Sequence, residues 1–169
     1  MKRGIFIGRF QPFHKGHLYV VKEMDNADDL EEIIIGIGTA QTGYTSYNPF
    51  TEDEREMMIR KSLELKKHYD VVKINDLNDY PRWVPYVESL CPKFDVVYAG
   101  NTIVKELFEE KGYEVRSPRK IHISATEIRQ MMLVNGNWRD YIPQGTADVI
   151  EEIDGVKRLK EINFQKINP

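Results

Sequence analysis

Two histidines, His14 and His17, stand three positions apart just after the first apolar run of the chain. If a helix begins near residue 14, both imidazoles lie on one face of it. They can then donate hydrogen bonds to phosphate oxygens, and either can carry a positive charge. A zinc site would need further ligands from His68, His122 or Cys91, and none of these has ligand-like spacing. We therefore predict phosphate chemistry and no protein-held metal, with a helix-capping histidine as the alternative.

The histidines belong to a segment that runs from a predicted strand through a loop into a predicted helix. It reads G-I-F-I-G-R-F-Q-P-F-H-K-G-H, from Gly4 to His17. We expect Gly8 to let the backbone leave the strand in a tight turn. We expect Gly16 to leave room for phosphate oxygens to reach backbone amides at the positive end of the helix. In an open α/β sheet, ligands bind where strands end and helices begin, so this loop is a candidate site.

A second candidate motif, I-S-A-T-E-I-R, occupies residues 123–129. Ser124 and Glu127 match a capping box, which gives the serine a structural explanation. Arg129 lies in the second turn of the capped helix, where it can bind an anion or form an exposed salt bridge. The nearby basic residues are Arg116, Arg119 and Lys120. On a chain of net charge −3, such a patch favours a small anionic ligand, although these three residues are equally consistent with a solvated face.

Two other phosphate-binding patterns are incomplete in this sequence. A dinucleotide fingerprint that begins at Gly36 would need a third glycine where Gln41 stands. A P-loop that begins at Gly38 has the right glycine spacing, but Tyr44 follows where a lysine is required. Both a hydride-transferring enzyme and a Walker-type ATPase are therefore disfavoured.

Short apolar runs alternate with helix-like segments along the chain. The predicted strands are Gly4–Gly8, Ile33–Ile37, Val71–Ile74, Asp95–Ala99 and Tyr113–Val115, and the predicted helices are 16–27, 52–67, 82–90 and 101–111. Apolar runs bounded by turn residues are typical of strands buried on both faces. We predict an α/β fold with a Rossmann-like, doubly wound, mostly parallel sheet in about 1–122 and a helical C-terminal part in about 123–169, forming one domain. Breaks in the helical part are expected at Gly136, Pro143 and Gly155.

Composition narrows the class of protein. The 169 residues are 41% hydrophobic and 30% charged, as in an ordinary globular domain. The negative net charge disfavours a nucleic-acid-binding protein. No apolar run approaches the roughly 20 residues that span a bilayer, so we expect no membrane partner. Cys91 is the only cysteine and follows Leu90 in an apolar context, so we predict a packing role and a cytoplasmic location.

The two motifs together resemble the signatures of the nucleotidylyltransferase superfamily. The segment from Gly8 to His17 is similar to its H/T-x-G-H signature, and the segment from Ile123 to Arg129 is similar to its I-S-S/G-T-x-x-R signature. The form G-R-F-Q-P-F-H-K-G-H, together with N-P-F-T at 48–51 and Y-A-G-N at 98–101, most resembles archaeal-type nicotinamide-mononucleotide adenylyltransferases. The resemblance extends over nearly the whole chain and thins after about residue 155.

This resemblance implies the reaction of ATP with nicotinamide mononucleotide (NMN) to give NAD and pyrophosphate, with Mg²⁺. It implies that the groups acting on the triphosphate are His14, His17 and Arg129. It implies an ATP cleft formed by Gly8, Arg9, Phe10, Lys15, Gly16, Gly100, Asn101, Ser124 and Thr126. For NMN it implies an aromatic ring that stacks on nicotinamide and a carboxylate that binds the amide, namely Trp83 and Asp76. Trp83 can equally be a core aromatic, and Tyr47 stands where the family often has an arginine.

The implied reaction needs no general base or covalent residue, because the attacking phosphate oxygen of NMN is already anionic. Catalysis would depend on alignment and on electrostatic stabilisation of the charge that develops on the phosphates. The same two signatures would serve FMN, a phosphopantetheine arm or an alcohol phosphate as the acceptor, and nicotinate mononucleotide is a further candidate. A non-catalytic nucleotide sensor is the alternative from another class. We also expect a homo-oligomer, of a size that the sequence does not report.

Overall fold

In the described part of the chain, five strands form one parallel sheet. Its strands are β1 (Lys2–Gly8), β2 (Leu30–Ile37), β3 (His68–Lys73), β4 (Val96–Tyr98) and β5 (Glu114–Arg116). Their order across the sheet is β3-β2-β1-β4-β5, and every neighbouring pair is parallel. The strand order changes direction between β1 and β4, which is the switch point at which such sheets bind ligands. The prediction of a Rossmann-like α/β fold is confirmed.

Among the residues that the structure describes, seven α-helices follow or connect the strands. They are α1 (Lys15–Asn26), α2 (Glu52–Ser62), α3 (Tyr80–Leu90), α4 (Thr102–Glu110), α5 (Ala125–Leu133), α6 (Gln144–Glu152) and α7 (Gly155–Ile167), with a 3₁₀ helix at Trp138–Tyr141. This computed structural model describes residues 1–119 and 121–169, so Lys120 of the predicted basic patch lies outside the described residues. In those two ranges, no helix combines the length and the apolar character that crossing a membrane requires.

The chain divides into two compact units. Unit 1 comprises Met1–Gly8, Tyr19–Thr39 and Glu64–Lys120, within which Lys120 itself is not described. Unit 2 comprises Arg9–Leu18, Ala40–Leu63 and Ile121–Pro169. The helical C-terminal part therefore groups with two earlier segments, one of which contains both histidines of the first motif. A single domain over the whole chain stays a prediction.

Unit 1 contains the sheet and its hydrophobic core. Ile5, Ile34 and Val97 come from β1, β2 and β4, and they pack with Phe108 of α4 in one buried cluster. Cys91 packs against the same cluster, and burial raises the pKa of its thiol to about 11. A thiol with a raised pKa is a poor nucleophile, so the predicted packing role is confirmed.

Unit 2 is helical, with α2 packed on α6 and α5 packed on α7. Helices α2 and α6 approach closely at Gly145, where a Cβ atom would lie 2.5 Å from the carbonyl carbon and oxygen of Lys61. Only glycine fits there, because the obstacle is backbone that cannot move aside. Ser62 and Thr146 join the same two helices, with 3.3 Å between their hydroxyl oxygens.

Two of the predicted boundaries are displaced in the structure. Helix α2 ends at Ser62 rather than at residue 67, because Leu63 leaves the helix in an extended conformation. Near residue 155, the left-handed residue that separates α6 from α7 is Asp154 (φ 52°), while Gly155 is the first residue of α7. Aspartate tolerates this conformation better than most residues, which explains why the break does not require the glycine.

Candidate functional site

His14 and His17 form a reciprocal cap at the start of α1. The Nδ1 atom of His14 accepts hydrogen bonds from the backbone amides of Gly16 (3.0 Å) and His17 (3.3 Å). In return, the backbone amide of His14 donates to the Nδ1 atom of His17 (3.1 Å). This is a capping box made of imidazoles, and it satisfies amides that the first turn of a helix leaves unpaired. The capping alternative is therefore what the structure shows for the Nδ1 atoms.

The cap also determines the tautomer of both rings. A neutral imidazole carries its proton on one nitrogen only, so an Nδ1 that accepts leaves the proton on Nε2. The two rings are stacked, with centroids 3.6 Å apart and planes inclined by 18°. His14 and His17 therefore each carry the ring proton on Nε2, and neither has a lone pair there for a metal ion. This donor set suits phosphate oxygens and does not suit a zinc ion.

Both imidazoles are neutral near pH 7 in this structure. Burial lowers the pKa of His14 from 6.5 to about 4. Burial also lowers the pKa of His17 well below its usual value, and the neighbouring His14 lowers it further. Positive charge on either histidine is disfavoured here, because burial and ring stacking leave the imidazolium form poorly solvated.

Gly16 is needed for this arrangement. A Cβ atom at this position would lie 2.8 Å from Cε1 and 3.0 Å from Nδ1 of the His14 ring. The sequence interpretation was that Gly16 exposes backbone amides to phosphate. The structure corrects this, since the amides of Gly16 and His17 already donate to His14. The glycine makes room for the capping imidazole.

Arg129 reaches the loop that carries the histidines. Its Nη1 atom donates to the carbonyl oxygen of Gln11 (2.8 Å), and its Nη2 atom donates to the hydroxyl of Thr126 (3.3 Å). The side chain is buried, with 8% of the residue exposed. The structure therefore places Arg129 beside the first motif within unit 2, and it excludes the exposed salt bridge that was the alternative.

Positive charge accumulates around Arg129. Its pKa is lowered by burial and by the neighbouring positive charge of Arg9, while Tyr47 acts in the opposite direction. In the ranges that the structure describes, neither Arg9 nor Arg129 forms an ion pair with a carboxylate. Two close guanidinium groups without a carboxylate between them favour binding of an anion.

The turn after β1 depends on Phe10. The backbone leaves the strand at Gly8, whose carbonyl oxygen accepts from the amide of Gly38 (2.8 Å). The left-handed residue is Phe10 (φ 54°) rather than Gly8. Its ring is 1% exposed and lies edge-on to His17, with centroids 4.8 Å apart. A bulky residue in this region of backbone conformation is strained, and packing of the ring against His17 holds it there.

Sequence reasoning missed Gln11 and Arg55. Gln11 lies within the quoted motif, but its role depends on a contact with Phe50 that no sequence spacing predicts. Arg55 in α2 is fully buried and donates to the carbonyl oxygens of Arg9 (2.9 Å) and Thr51 (3.2 Å). Burial lowers the pKa of Arg55 to about 10, so it stays charged at pH 7. The only sequence signal for Arg55 is its place one residue after the T-E-D-E capping box.

Other predicted site residues of unit 2 have structural partners. Lys15 is exposed and donates through Nζ to the carbonyl oxygen of Asp140 (2.7 Å). Ser124 caps α5, and its hydroxyl accepts from the amide of Glu127 (3.4 Å). Thr126 holds the guanidinium of Arg129, as described above. Their roles toward ATP stay predictions.

The remaining predicted site residues belong to unit 1. Gly100 and Asn101 follow β4, where a Cβ at Gly100 would meet nothing within 4 Å and Asn101 caps α4. Trp83 lies on α3 with its ring edge-on to Phe108, centroids 5.7 Å apart. Asp76 is exposed and accepts from the amide of Asn78 (3.0 Å). Their contacts with adenosine or nicotinamide stay predictions.

Arg116 is paired rather than available to a ligand. Its guanidinium lies 2.5 Å from a carboxylate oxygen of Asp29 and 2.7 Å from one of Glu114. These partners neutralise its charge, so of the two interpretations of the basic patch the structure favours a solvated face at Arg116. Among the residues that the structure describes, no three His, Cys, Asp or Glu side chains are grouped to hold an ion.

Comparisons with known proteins identify the family of this chain. The sequence matches the family described as cytidylyltransferase-like over residues 5–131. A nicotinamide-nucleotide adenylyltransferase of Methanococcus aeolicus is 52% identical over 169 residues, which covers 96% of this chain and 96% of that protein. A nicotinamide-nucleotide adenylyltransferase of Pyrococcus furiosus is 47% identical over 168 residues, which covers 95% of this chain and 88% of that protein.

A solved structure gives the same fold. It is a bifunctional NMN adenylyltransferase/ADP ribose pyrophosphatase of Francisella tularensis complexed with AMP and a manganese ion, with a TM-score of 0.75 and 21% identity. The match covers 99% of this chain and 54% of that one, so this chain spans about half the length of the bifunctional protein. The histidine cap, the arginine that reaches it, and relatives of this identity over nearly full length lead to one conclusion. The chain belongs to the nicotinamide-nucleotide adenylyltransferase family, within the cytidylyltransferase-like nucleotidyltransferases.

Proposed function

We propose that this chain transfers the adenylyl group of ATP to NMN, giving NAD and pyrophosphate. One observation carries the proposal: a single loop presents the stacked imidazoles of His14 and His17 and also receives the guanidinium of Arg129. Two neutral N–H donors suit a polyphosphate, and so does a guanidinium that has no carboxylate partner among the described residues. The relatives named nicotinamide-nucleotide adenylyltransferase are 52% and 47% identical to this chain over nearly its full length, and their names support ATP and NMN as the substrates.

The chemistry follows from what these groups can do. A phosphate oxygen of NMN attacks the α-phosphorus of ATP, a new P–O bond forms, and the bond to the β-phosphate oxygen breaks in line with it. The Nε2–H groups of His14 and His17 would donate to phosphate oxygens on which negative charge develops. Arg9 and Arg129 would neutralise the leaving pyrophosphate. Preorganised donors of this kind lower the barrier without moving, and the attacking oxygen needs no base.

A divalent ion would accompany the substrate. The imidazole Nε2 atoms carry protons, so His14 and His17 do not fit as metal ligands, and the phosphates of ATP themselves provide the oxygen ligands that Mg²⁺ prefers. Bound in this way, Mg²⁺ supplies positive charge at the phosphate oxygens. The part played by the protein is to align the triphosphate with imidazole and guanidinium donors.

The proposal is tested by product formation. Purified protein is incubated with ATP, Mg²⁺ and NMN, and NAD is quantified by its enzymatic reduction. Parallel reactions contain nicotinate mononucleotide, FMN, a phosphopantetheine arm, or CTP with an alcohol phosphate. We expect NAD as the dominant product. A higher kcat/KM with FMN, phosphopantetheine or an alcohol phosphate would reassign the acceptor, and binding of ATP without any transfer would indicate a nucleotide sensor.

The role of the imidazole pair is tested at His17. Substituting alanine removes one Nε2–H donor, and losing one donor to developing charge typically lowers the rate by about 10²–10³-fold. We expect His17→Ala to lower kcat at least about 10²-fold while the protein stays folded. His68→Ala is the matched control, because His68 is exposed and, among the described residues, its side chain pairs only with Asp70, at 3.4 Å. A near-wild-type kcat in His17→Ala would remove it from the mechanism.

The setting of the reaction completes the proposal. We place the activity in the cytoplasm, since a chain whose only cysteine packs against its core needs no oxidising compartment.

We also propose self-association, measured by analytical ultracentrifugation with and without nucleotide. We expect NMN and nicotinate mononucleotide to be distinguished by contacts of Asp76 with the amide, which an Asp76→Asn variant tests through the ratio of the two kcat/KM values.

A further inference from the structure

Gln11 is buried between two segments that are distant in sequence. It is 2% exposed, and its side chain makes two hydrogen bonds with the backbone of Phe50. The Nε2 atom donates to the carbonyl oxygen of Phe50 (2.9 Å), and the amide of Phe50 donates to Oε1 (2.9 Å). The side-chain amide thus pairs with Phe50 as a neighbouring strand would. Among uncharged side chains of this length, only glutamine supplies a donor and an acceptor together.

The backbone of the same residue holds the guanidinium of Arg129. The carbonyl oxygen of Gln11 accepts from Nη1 at 2.8 Å, and the hydroxyl of Thr126 accepts from Nη2 at 3.3 Å. These two contacts determine where the buried guanidinium lies. The position of Arg129 therefore depends on where the Gln11 carbonyl lies, and that in turn depends on the pairing of the Gln11 side chain with Phe50.

Phe50 provides a fixed reference for this pairing. It is fully buried, and the next residue, Thr51, caps α2 in a complete capping box with Glu54. The carboxylate of Glu54 pairs with both Nη atoms of Arg158 at 2.6 and 2.8 Å. Arg158 also donates to the carbonyl oxygen of Pro49 at 3.1 Å. Helices α2 and α7 together hold the backbone that Gln11 pairs with.

We propose that Gln11 is a positioning residue for the triphosphate, acting through Arg129. Its side chain holds the loop in position by pairing with the backbone of Phe50. Its carbonyl oxygen then positions the guanidinium of Arg129 to contact the phosphates. This inference rests on the proposed function for its substrate, but it concerns binding of the triphosphate rather than the identity of the acceptor. The prediction is that Gln11 and Arg129 contribute to nucleotide affinity jointly rather than independently.

A double-mutant cycle tests this coupling. Gln11→Met keeps the length of the side chain and removes both hydrogen bonds to Phe50. The dissociation constant of a non-hydrolysable ATP analogue with Mg²⁺ is measured by calorimetry for the wild type, Gln11→Met, Arg129→Ala and the double variant. We expect Gln11→Met to weaken binding about 10-fold in the wild-type background and less than about 2-fold when Arg129 is absent. An equal factor in both backgrounds would overturn the proposal.

A control separates positioning from general stability. Thr146 is fully buried and its hydroxyl lies 3.3 Å from that of Ser62. Within the described part of the chain, neither residue forms a hydrogen bond with the loop that carries Gln11. Thr146→Val should lower the melting temperature and leave the dissociation constant unchanged. If Thr146→Val weakens binding as much as Gln11→Met does, the effect is one of stability and the proposal is refuted.

A second variant covers the case in which Gln11→Met does not fold. Gln11→Glu keeps the acceptor for the Phe50 amide but, when ionised, has no donor for the Phe50 carbonyl. Protonation restores a donor, so affinity for the analogue, relative to the wild type at the same pH, should recover as the pH falls from 8 to 6. A pH-independent ratio would contradict the proposal. If the wild type binds the analogue but makes no NAD, the proposed function fails while this coupling is still decided by binding.

Discussion

The substitution Gly16→Ala would separate the capping geometry from the fold. The added Cβ would lie 2.8 Å from Cε1 and 3.0 Å from Nδ1 of His14, which is well inside ordinary van der Waals contact. The imidazole must therefore withdraw by roughly 0.6 Å or more. Its Nδ1 bonds to the amides of Gly16 and His17, at 3.0 and 3.3 Å, would then exceed normal hydrogen-bond lengths.

The expected effect on stability is small and the expected effect on the rate is large. Losing the cap costs about 1 kcal/mol of the free energy of unfolding. Replacing glycine by alanine in a helix returns about 0.5–1 kcal/mol, so the net change is under about 1 kcal/mol. A donor displaced by a fraction of an ångström to 1 Å costs up to about 10² in rate. We therefore expect kcat to fall about 10- to 100-fold in Gly16→Ala.

Initial rates of NAD formation at saturating ATP and NMN give kcat, and urea unfolding gives the stability of the same preparation. Gly136→Ala is the matched control, because its Cβ would meet atoms of Met131 at 3.4–3.6 Å, which is ordinary contact. Its kcat should equal that of the wild type. Wild-type kcat in Gly16→Ala would refute the view that the His14 ring must stay in its capping position for catalysis.

Three further predictions concern charge. Burial lowers the pKa of His14 from 6.5 to about 4, so protonation of this imidazole favours the unfolded chain. The neutral imidazole contributes fully to the free energy of unfolding above pH 6.5, and this contribution is lost as the pH falls toward 4. At pH 5 the free energy of unfolding, measured with urea, should be about 2 kcal/mol lower for this reason. In His14→Asn, whose asparagine can still cap the helix, the free energy of unfolding should depend less on pH. Arg158→Met leaves the half-buried carboxylate of Glu54 without its ion-pair partner and should lower the free energy of unfolding by about 2–4 kcal/mol. The control is Arg60→Ala, which breaks the exposed pair with Glu56 and should lower it by under about 1 kcal/mol. Equal losses in the two variants would contradict this prediction. Chelation of divalent ions by EDTA should abolish NAD formation and Mg²⁺ should restore it, and activity that persists in EDTA would exclude a role for the ion.

Local sequence patterns determined the elements of this fold. Buried strands, their parallel arrangement and the capping box at Thr51 follow from residue types at short spacing, because apolar periodicity and turn residues act over a few positions. The prediction of a phosphate site at Gly16, His17 and Arg129 likewise came from short motifs, and it stays a prediction. The end of α2 at Ser62 did not follow from local patterns, since helical periodicity continues past the residue where the backbone turns away.

Tertiary structure alone decided how these groups work. The pairing of Gln11 with Phe50 and the contact of Arg129 with the Gln11 carbonyl join residues that lie far apart along the chain, and no local pattern encodes such contacts. The neutrality of the two histidines likewise arises from burial and stacking, which exist only once the chain is packed. Sequence thus determined which groups are present, while packing decided their protonation, tautomer and position, because solvation and distance are properties of the folded chain.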